Sequence, residues 1–454
     1  MRQNIILILF IWISTATQMQ GQTSKMHISD GLMGNRFLTF NTIIRVNQIE
    51  VSRDRNEGED ERSAHTPERV VAFREAISSE FPDARITWAF SWLALHDQTE
   101  NYKKIRELIV GYHREYGDDI TFIPGAYFAN AYNTREQVNK DLHDGLAKVS
   151  EIVGNGFRPK SVVAGFLAAE NQQYLAENEG IHVCQGNIWS QFAIDNQDGD
   201  GAVSYPFYPS KEHFCKPAQG KSDFIDCVNL DGWTMDFICA RRSGQTGHGI
   251  DGYNSRRGVG PIETYKGWGL DLGHREVMHT LSVHFDKGLV LNGFGWVTNI
   301  WEAQMVQEFG KDLICDAMEM WVTDTKKRWP DTHFVTFGEF GMIWREQNKS
   351  NDDWNYQFFE RGSGLGDSYN NLEIKWFMNK EFRLALLRDW HQKGSPAYVI
   401  DFTRYDLKTQ EPADPSPDKP VKDWSLINVM NQKGLRPQDA HKLINELEHT
   451  DQEL

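Results

Sequence analysis

The sequence predicts an α/β fold: a TIM-like (β/α) barrel of seven or eight strands that need not be regular, followed by a small, mainly β module. Three consecutive segments lead to this prediction. Asp119–Pro124 is a short run of β-branched and aromatic residues, typical of a buried strand. Thr134–Gly154 has apolar residues at helical spacing between a Thr N-cap and a Gly stop. Ser161–Gly165 is again strand-like, and strand, helix and strand at this spacing indicate parallel strands joined by crossover helices.

Predicted strands and helices alternate along the rest of this part of the chain. The further strands are short apolar runs: Thr42–Val46, Arg85–Trp92, Gly180–Cys184, Asp223–Leu230, His279–Phe285, Leu289–Val297 and His333–Phe337. The further helices carry apolar residues on one side: Pro67–Ser79, Asn101–Tyr116 and Ala303–Arg328. Pro67 follows Thr66 and suits the first helical position. About eight strands, separated mostly by helices, is the number expected of a (β/α) barrel.

The pattern changes after Trp344, where polar and Gly-rich stretches separate short strand-like runs. We therefore divide the chain into a signal peptide (1–21), a barrel domain (22–344) and a small accessory module (345–454). The elements predicted in the module are strands at Leu372–Phe377, Arg383–Leu387 and Ala397–Phe402 and a terminal helix at Pro437–His449. An elaborate C-terminal extension without a core of its own is the alternative.

The first residues have the layout of a secretory signal peptide. A charged start at Met1–Asn4 precedes the apolar run Ile5–Ile13 and the small or polar residues Ser14–Gly21. The apolar run is too short to cross a bilayer, and cleavage after Ala16 or Gly21 fits the pattern equally well. We expect an exported protein, periplasmic or extracellular, with no integral membrane segment after cleavage.

Composition narrows the class of partner. The formal charge of −16, with no compensating basic run, argues against nucleic acid and against an anionic membrane. The five cysteines include no CxxC pair and predict neither a disulfide framework nor a zinc site. The 15 tryptophans and 26 phenylalanines favour a carbohydrate substrate, because a ring face offers an apolar surface to sugar C–H groups. The oligomeric state is left open.

Four carboxylates stand at predicted strand ends and are the candidate catalytic groups: Glu339, Glu302, Asp231 and Glu170. Active sites of (β/α) barrels are built from the loops after the strands. Glu339 leads the set because it follows an apolar strand directly and lies between glycines, in the run Gly-Glu-Phe-Gly. Glycoside hydrolysis needs two carboxyls facing one bond, which strands across a barrel can supply. Each is also compatible with a solvated loop carboxylate.

Five aromatic residues that follow predicted strands are candidates for stacking on sugar rings: Trp92, Tyr127, Trp189, Trp233 and Trp301. The competing interpretation is that each simply fills core.

The run from Asn196 to Gly201 alternates oxygen ligands in the manner of a calcium loop. Asn196, Asp198 and Asp200 are the candidate metal ligands. Phe207 stands where such a loop carries its twelfth-position Glu, so a polar turn is the alternative to a structural calcium ion. We expect no cofactor to be required for catalysis.

Several segments resemble the polysaccharide deacetylase barrel, within the wider glycoside hydrolase/deacetylase barrel superfamily. The segment HTPERVVAFREAISSEFPDARITWAFSW is similar to the opening of that fold, with a helix that begins at Thr-Pro and leads into a strand. Asp119–Trp189 is similar to the part that follows, and HFVTFGEF resembles the last strand. The resemblance spans Thr42–Phe340. It implies a barrel acting on carbohydrate, from an exported bacterial branch.

The chain departs from that family at the metal site. The deacetylases hold a divalent metal with an Asp after the first strand and two His after a later strand. Here the first position offers Asn47, Gln48 or Glu50, and the later one reads Gly125–Asn130 without histidine. The sequence is therefore best interpreted as a glycoside hydrolase with paired carboxylates. The alternatives are a carbohydrate deacetylase or esterase with unrecognised metal ligands and a non-catalytic glycan-binding protein.

Overall fold

The computed structural model describes residues 31–51, 53, 56–188, 201–232, 234, 261–302, 311–365, 368–391, 393 and 397–426. Within them the fold is mixed α/β, as the sequence predicts. The strands are β1 (Arg36–Ile44), β2 (Asn47–Glu50), β3 (Asn56–Asp60), β4 (Thr87–Phe90), β5 (Asp119–Phe122), β6 (Val162–Val163), β7 (Val183–Asn187), β8 (Val228–Asp231), β9 (Gly295–Ile300), β10 (Thr332–Phe334), β11 (Tyr356–Arg361), β12 (Leu372–Met378), β13 (Phe382–Asp389) and β14 (Tyr398–Arg404).

The described helices lie between β3 and β11 along the chain. They are α1 (Pro67–Ser78), α2 (Trp92–His96), α3 (Glu100–Tyr116), α4 (Ala129–Tyr132), α5 (Arg135–Val153), α6 (Ala169–Tyr174), α7 (Pro261–Ser282), α8 (Leu289–Asn292), α9 (Lys311–Arg328) and α10 (Phe337–Gln347). Local chemistry sets several of their ends. Thr66 caps α1 by accepting from the Arg69 amide, and Thr134 caps α5 in the same way.

Strand β1 is the centre of the first parallel sheet. One of its edges pairs with β9 from Arg36 to Asn41. The other edge is shared: β10 pairs with Arg36–Leu38 and β4 pairs with Asn41–Ile44. Strand β5 then extends the sheet beyond β4. Strand β10 pairs only with the first three residues of β1. The chain that follows β10 therefore leaves this sheet near the N-terminal ends of its strands.

The second parallel sheet, β6–β7–β8, borders the first on both sides. Beside β5, the Thr121 hydroxyl contacts the Ser161 carbonyl, which directly precedes β6. Beside β9, the Thr298 amide donates to the Thr234 hydroxyl at 3.1 Å, just after β8. No continuous ladder of strand pairs closes the two sheets into a barrel within the described residues.

Both sheets nevertheless contribute to one apolar layer. Its residues come from β1, β4 and β9 of the first sheet, from β6 of the second, and from the residues just after β5 and β7: Ile43, Ala89, Ile300, Val163, Ile123, Ile188 and the nearby Tyr127. The opposite faces of the strands pack on the helices, as Phe40 does on Trp321 of α9. The two sheets therefore share an interior layer, whose chemistry is set by the residues that face it.

Strands β11 to β14 form an antiparallel sheet in sequential order. One face packs with the α/β part: Trp344 of α10 donates its indole N–H to the Tyr356 hydroxyl at 2.9 Å, and Trp376 belongs to the same core cluster. The other face carries a smaller cluster of Phe377, Leu384, Leu386 and Phe402. The division of the chain at Trp344 remains a prediction, since this sheet shares its inner core with the preceding elements.

Several predicted elements differ from the structure. Leu289–Val297 was expected to be a strand, but Leu289–Asn292 is helix α8 and strand β9 begins at Gly295. Asp223–Leu230 was expected to be a strand, but β8 begins only at Val228. His279–Phe285 was expected to be a strand, but it spans the end of α7 and the start of a π-helical turn, Val283–Gly288. Strand β7 begins three residues later than Gly180. The signal peptide and the terminal helix Pro437–His449 lie outside the described residues.

Across the described ranges, none of the helices combines the length and the apolar character that crossing a membrane requires.

Candidate active site

Arg45 and Glu302 extend the interior of the fold beyond the apolar layer. Arg45 comes two residues after Ile43, and Glu302 comes two residues after Ile300. Side chains alternate along a strand, so each points to the same side as the isoleucine that precedes it. Both isoleucines belong to the apolar interior layer. The two charged groups therefore meet at the C-terminal ends of neighbouring strands, β1 and β9.

Arg45 holds two carboxylates at once. Its Nε lies 2.5 Å from Glu61 Oε2, and its Nη2 lies 2.8 Å from Glu61 Oε1 and 2.7 Å from Glu302 Oε2. The two carboxylates thus share one guanidinium nitrogen, which limits their nearest oxygens to less than twice a hydrogen-bond length apart. The side chains of Arg45 and Glu61 are buried, whereas that of Glu302 is 14% exposed. Of the pair, Glu302 is the carboxylate open to a ligand.

The charges in this cluster stabilise one another. Burial alone would lower the pKa of Arg45, but the carboxylates of Glu302 and Glu61 raise it above its ordinary value. Burial opposes ionisation of Glu61, yet His65 and Arg45 lower its pKa to about 2. The His65 Nε2–Glu61 Oε2 distance is 3.5 Å, so Arg45 is the stronger partner. Burial also lowers the pKa of His65 and keeps its ring neutral near pH 7.

Tyr127 reaches this cluster from a strained turn after β5. Gly125, Ala126 and Tyr127 have φ of 58°, 46° and 87°, in the left-handed region that non-Gly residues seldom adopt. Burial first, and then the Glu302 carboxylate, raise the pKa of Tyr127 well above its usual value. Gly165 leaves room for the turn, because a Cβ built there would lie 2.6 Å from the Tyr127 carbonyl oxygen.

Asp231 and Asn187 lie at the ends of two further strands. They are register partners in the β7–β8 pair, and both are fully buried. Neither amide atom of Asn187 has a hydrogen-bond partner in the described part of the chain. A Cβ built on Gly232, the residue after Asp231, would lie 3.0 Å from Ile300 Cδ1, two residues before Glu302. These contacts bring the ends of β8 and β9 together, and Asn187 offers, beside Asp231, a buried amide that has no partner among the described residues.

Glu50 has a structural role. Its Oε1 accepts from the Ser91 hydroxyl at 2.6 Å, and its Oε2 accepts from the Leu93 amide at 3.0 Å. It thereby ties the end of β2 to the start of α2. Burial raises the pKa of Glu50 despite these hydrogen bonds.

The expected position of Glu339 is wrong. Strand β10 ends at Phe334, and Glu339 lies in the first turn of α10, where it forms a capping box with Thr336. Its Oε1 lies 2.6 Å from Arg85 Nη1 and 3.3 Å from Lys160 Nζ, and both partners precede the strands they lead into. Glu339 therefore lies at the N-terminal ends of the parallel strands, at the opposite end of the interior from Glu302.

The glycines around Glu339 have a packing explanation. A Cβ built on Gly338 would lie 2.6 Å from the Lys160 side chain, and one on Gly341 would lie 2.4 Å from Val183. They let α10 pack closely on the start of the second sheet.

Two of the expected stacking residues have their rings engaged already. Trp301 is fully buried and stacks on Trp321 with ring centroids 5.9 Å apart, because it points to the opposite side of β9 from Glu302. The expectation that Trp301 contacts sugar is corrected accordingly. Trp92 follows β4 as predicted, but it stacks on His96 at 4.2 Å and lies under the Arg53 guanidinium at 3.9 Å. That ring supports α2 and leaves little free face for a sugar.

Glu170 follows β6, as predicted, and is exposed in the first turn of α6. Its catalytic role stays a prediction.

Several candidates lie outside the described residues: the aromatic residues Trp189 and Trp233 and the calcium-loop residues Asn196, Asp198 and Asp200. Their roles stay predictions. Among the residues that the structure does describe, no three His, Cys, Asp or Glu side chains converge in the way a metal ion needs.

Sequence reasoning missed Arg45, Glu61, His65 and Asn187. The alternation of β1 carried the information for Arg45, since it stands two residues after an inward-facing isoleucine. Glu61 and His65 are four residues apart in a turn, and an acidic residue and a histidine at this spacing are visible in the sequence. Asn187 could be recognised as a site residue only if the end of β7 had been predicted correctly.

Comparison with known proteins gives the family and one near relative. Residues 30–378 match the family described as "Domain of Unknown Function with solved-structure structure (DUF3863)", and residues 383–454 match the corresponding family DUF3864. The structure of a "putative glycoside hydrolase/deacetylase" from Parabacteroides distasonis is 70% identical and superposes with a TM-score of 0.83. The match covers 90% of this chain and 94% of that one. A search of the curated proteins finds no match.

Two more distant structures also match. A "putative polysaccharide deacetylase" from Mycobacterium smegmatis is 14% identical over 70% of this chain and 92% of its own, with a TM-score of 0.41. A GH57 branching enzyme from Thermococcus kodakaraensis is 9% identical over 65% of this chain and 69% of its own, with a TM-score of 0.39. At these TM-scores neither carries an argument about this site. The DUF3863 model covers more than half of the sequence, and the chain belongs to that family.

Proposed function

We propose that the protein is an exported carbohydrate-active enzyme, a glycoside hydrolase whose two parallel sheets act together as a barrel with its site at the C-terminal strand ends. The observation that carries the proposal is the partly exposed Glu302 carboxylate, held by the buried Arg45 after β9, where the end of β8 with the buried Asp231 also lies. Strand ends on one side of a parallel fold are where such sites are built. The name of the Parabacteroides distasonis relative supports the same class.

The environments of the two carboxylates suggest different roles. Arg45, 2.7 Å from Glu302, favours the ionised form of that carboxylate, which suits a nucleophile or general base. Asp231 is fully buried at the neighbouring strand end and is the proposed general acid, which would protonate the oxygen of the leaving sugar. Glu61 balances the charge of Arg45 and fixes its orientation, and Asn187 is available to bind a sugar hydroxyl.

The donor set fits a metal-dependent deacetylase poorly. In the resembled family an Asp after the first strand is a metal ligand, whereas here the inward residue at that strand end is Arg45. A buried guanidinium repels a divalent cation and already occupies the two nearest carboxylates. Glycoside hydrolysis, de-esterification and non-catalytic glycan binding nevertheless predict different products, so one experiment distinguishes the three functions.

The test is a screen of glycan substrates that measures new reducing ends, released acetate and simple retention in parallel. Hydrolysis predicts new reducing ends that are lost in Glu302→Gln. Acetate release without new reducing ends would replace the proposal with de-esterification. Retention without either product would replace it with non-catalytic glycan binding.

Export and the division of the chain at Trp344 are part of the same proposal. An intact mass on protein recovered from the producing cell's envelope should show loss of Met1 through at least Ala16, because the apolar run Ile5–Ile13 is typical of a cleaved signal. A full-length mass in the cytosol would contradict export.

A further inference from the structure

Two exposed aromatic side chains mark one corner of the antiparallel sheet. Tyr369 lies in the β11–β12 connection and Trp390 follows β13, and each is 44% exposed. They are the aromatic members of the set of large, exposed apolar side chains in the described part of the chain. The Trp390 amide donates to the Asn371 carbonyl at 2.8 Å, so the two segments are adjacent. The other described tryptophans are buried or half-buried, so two adjacent exposed aromatic side chains here are a candidate binding surface.

Hydrogen bonds hold the corner in place. Asn371 Nδ2 donates to Asp389 Oδ1 at 2.8 Å, which links the β11–β12 connection to the end of β13. Arg361 Nε donates to the Asn370 carbonyl at 2.6 Å on the other side of the same connection. A surface fixed in this way loses little conformational entropy when it binds a partner.

The groups around Trp390 are polar and carry both signs of charge. The guanidinium carbons of Arg361 and Arg388 lie 5.7 Å and 5.2 Å from the centre of its ring. Glu373 is the cross-strand partner of both arginines, so the three side chains lie in one row on the same face of the sheet. The hydrogen bond from Asn371 and the backbone N–H of His391 lower the pKa of Asp389, which leaves it an ionised acceptor.

We propose that this corner, formed by Arg361, Tyr369, Arg388, Asp389 and Trp390, is a second carbohydrate-binding surface that holds a glycan chain away from the strand-end site. The aromatic rings offer an apolar surface to sugar C–H groups. The guanidinium groups donate to hydroxyl or carboxylate oxygens, and Asp389 accepts from hydroxyls.

Charge favours a glycan over an acidic partner in general. The chain has a net charge of −16, and Glu373 and Asp389 stand among the arginines of the corner, so the surface is not broadly basic. Alternating donors and acceptors around an exposed ring instead suit the hydroxyls of a sugar. The inference shares with the proposed function only the premise that the partner is a carbohydrate.

The experiment is affinity gel electrophoresis of the full chain carrying Glu302→Gln, which prevents degradation of the polysaccharide in the gel. The probes are dextran and xylan as neutral chains and polygalacturonate as an anionic one. We expect at least one to retard the protein, and we expect Trp390→Ala to weaken that affinity at least about tenfold. Tyr369→Ala should weaken it less, and Trp390→Phe should retain part of it.

The matched control is Val290→Ala, which removes an exposed apolar side chain of α8 that is 79% exposed. It should leave retardation unchanged, and all variants should melt at the parent's temperature. Retardation by polygalacturonate alone assigns an anionic glycan, and retardation by the neutral chains assigns a neutral one; both support the proposal. No retardation by any probe, or equal retardation of the parent and Trp390→Ala, overturns it. Because the parent here is already inactive at Glu302, failure of the hydrolase proposal would not change either result.

Discussion

Arg45 and Glu302 join the C-terminal ends of two paired parallel strands through a contact of 2.7 Å between Nη2 and Oε2. The same guanidinium binds Glu61, so a single buried cation positions two carboxylates from distant segments of the chain, one 16 and the other 257 residues from Arg45. This arrangement orients Glu302 before any substrate arrives, which is the preorganisation that an active site requires.

Glu302→Gln should reduce turnover by at least about 100-fold while the fold is retained. Glutamine keeps the shape and can still accept from Arg45, but it can neither ionise nor transfer a proton. Asp231→Asn should cause a comparable loss, since the reaction needs both carboxyls. The measurement is kcat on the substrate that the screen identifies, with circular dichroism to verify folding.

Glu339→Gln is the matched control for those variants. The substitution is the same, but Glu339 pairs with Arg85 at the opposite end of the strands. It should weaken the capping box of α10 and leave turnover within about threefold of wild type, because a helix cap affects stability rather than chemistry. A loss in Glu339→Gln as large as in Glu302→Gln would return Glu339 to the catalytic role that its sequence context suggested.

Arg45→Met should destabilise the protein by about 3–5 kcal/mol, because it leaves the buried Glu61 and the adjacent Glu302 without their shared cation. The free energy of unfolding in urea measures this. Adding Glu61→Gln to Arg45→Met should recover part of the loss, since the buried carboxylate is then neutral. If the double variant is no more stable than Arg45→Met alone, the destabilisation does not arise from the unpaired charge of Glu61.

Gly165→Ala tests the support of the Tyr127 turn. The added methyl would lie 2.6 Å from the Tyr127 carbonyl oxygen and 2.7 Å from its Cβ, so the strained turn must move. We expect a loss of about 1–3 kcal/mol in unfolding free energy and, because Tyr127 faces Glu302, reduced turnover. Gly111→Ala in α3 is the control: nothing lies within 4 Å of its added Cβ, and it should stabilise the helix by up to about 1 kcal/mol.

Helix ends were predictable from the sequence because they depend on neighbouring residues. Thr66, Thr134 and Gly154 fixed the limits of α1 and α5 to within a residue. His279–Phe285 failed because a short apolar run suits a buried helix as well as a strand, and the contacts of α7 decide between them.

Which residues reach the candidate site depends on the face of the strand that each side chain takes, and the pairing of the strands in the tertiary structure sets that face. Trp301 and Glu302 are neighbours in sequence, yet alternation places one in the outer core and the other at the site. Glu339 follows an apolar run as a catalytic strand end would, but β10 pairs with the first three residues of β1 and ends at the opposite side of the fold. Neither outcome can be deduced before the register of β1 is known.

Asp119 predicts a pH dependence of stability. Burial, with Glu339 nearby and Lys160 opposing, raises its pKa from 3.8 to about 7. Below about pH 4 both the folded and unfolded states hold the proton and the group contributes nothing. Between pH 4 and 7 only the folded state retains it, so stability falls as the pH rises. One pKa unit corresponds to about 1.4 kcal/mol, so the full effect is a few kcal/mol.

Asp119→Asn should remove that dependence. The unfolding free energy of the variant minus that of wild type should increase from pH 4 to pH 7 and then stay constant. Urea unfolding at several pH values measures it. A difference that is flat over this range would show that Asp119 is ionised in the folded protein.

Removal of divalent metal ions should leave turnover unchanged. The Arg45 guanidinium lies among the carboxylates of the proposed site and disfavours a divalent cation there. Calcium bound by Asp198 and Asp200 should act on stability, so chelation should lower the melting temperature without lowering kcat, and calcium should restore it. The measurements are kcat and melting temperature after treatment with EDTA and with 1,10-phenanthroline.

Asp198→Asn is the control, because it should abolish the calcium-dependent part of the melting temperature and leave kcat unchanged. A large loss of kcat on chelation, restored by zinc or another transition metal, would instead favour a metal-dependent deacetylase whose ligands include residues outside the described ranges.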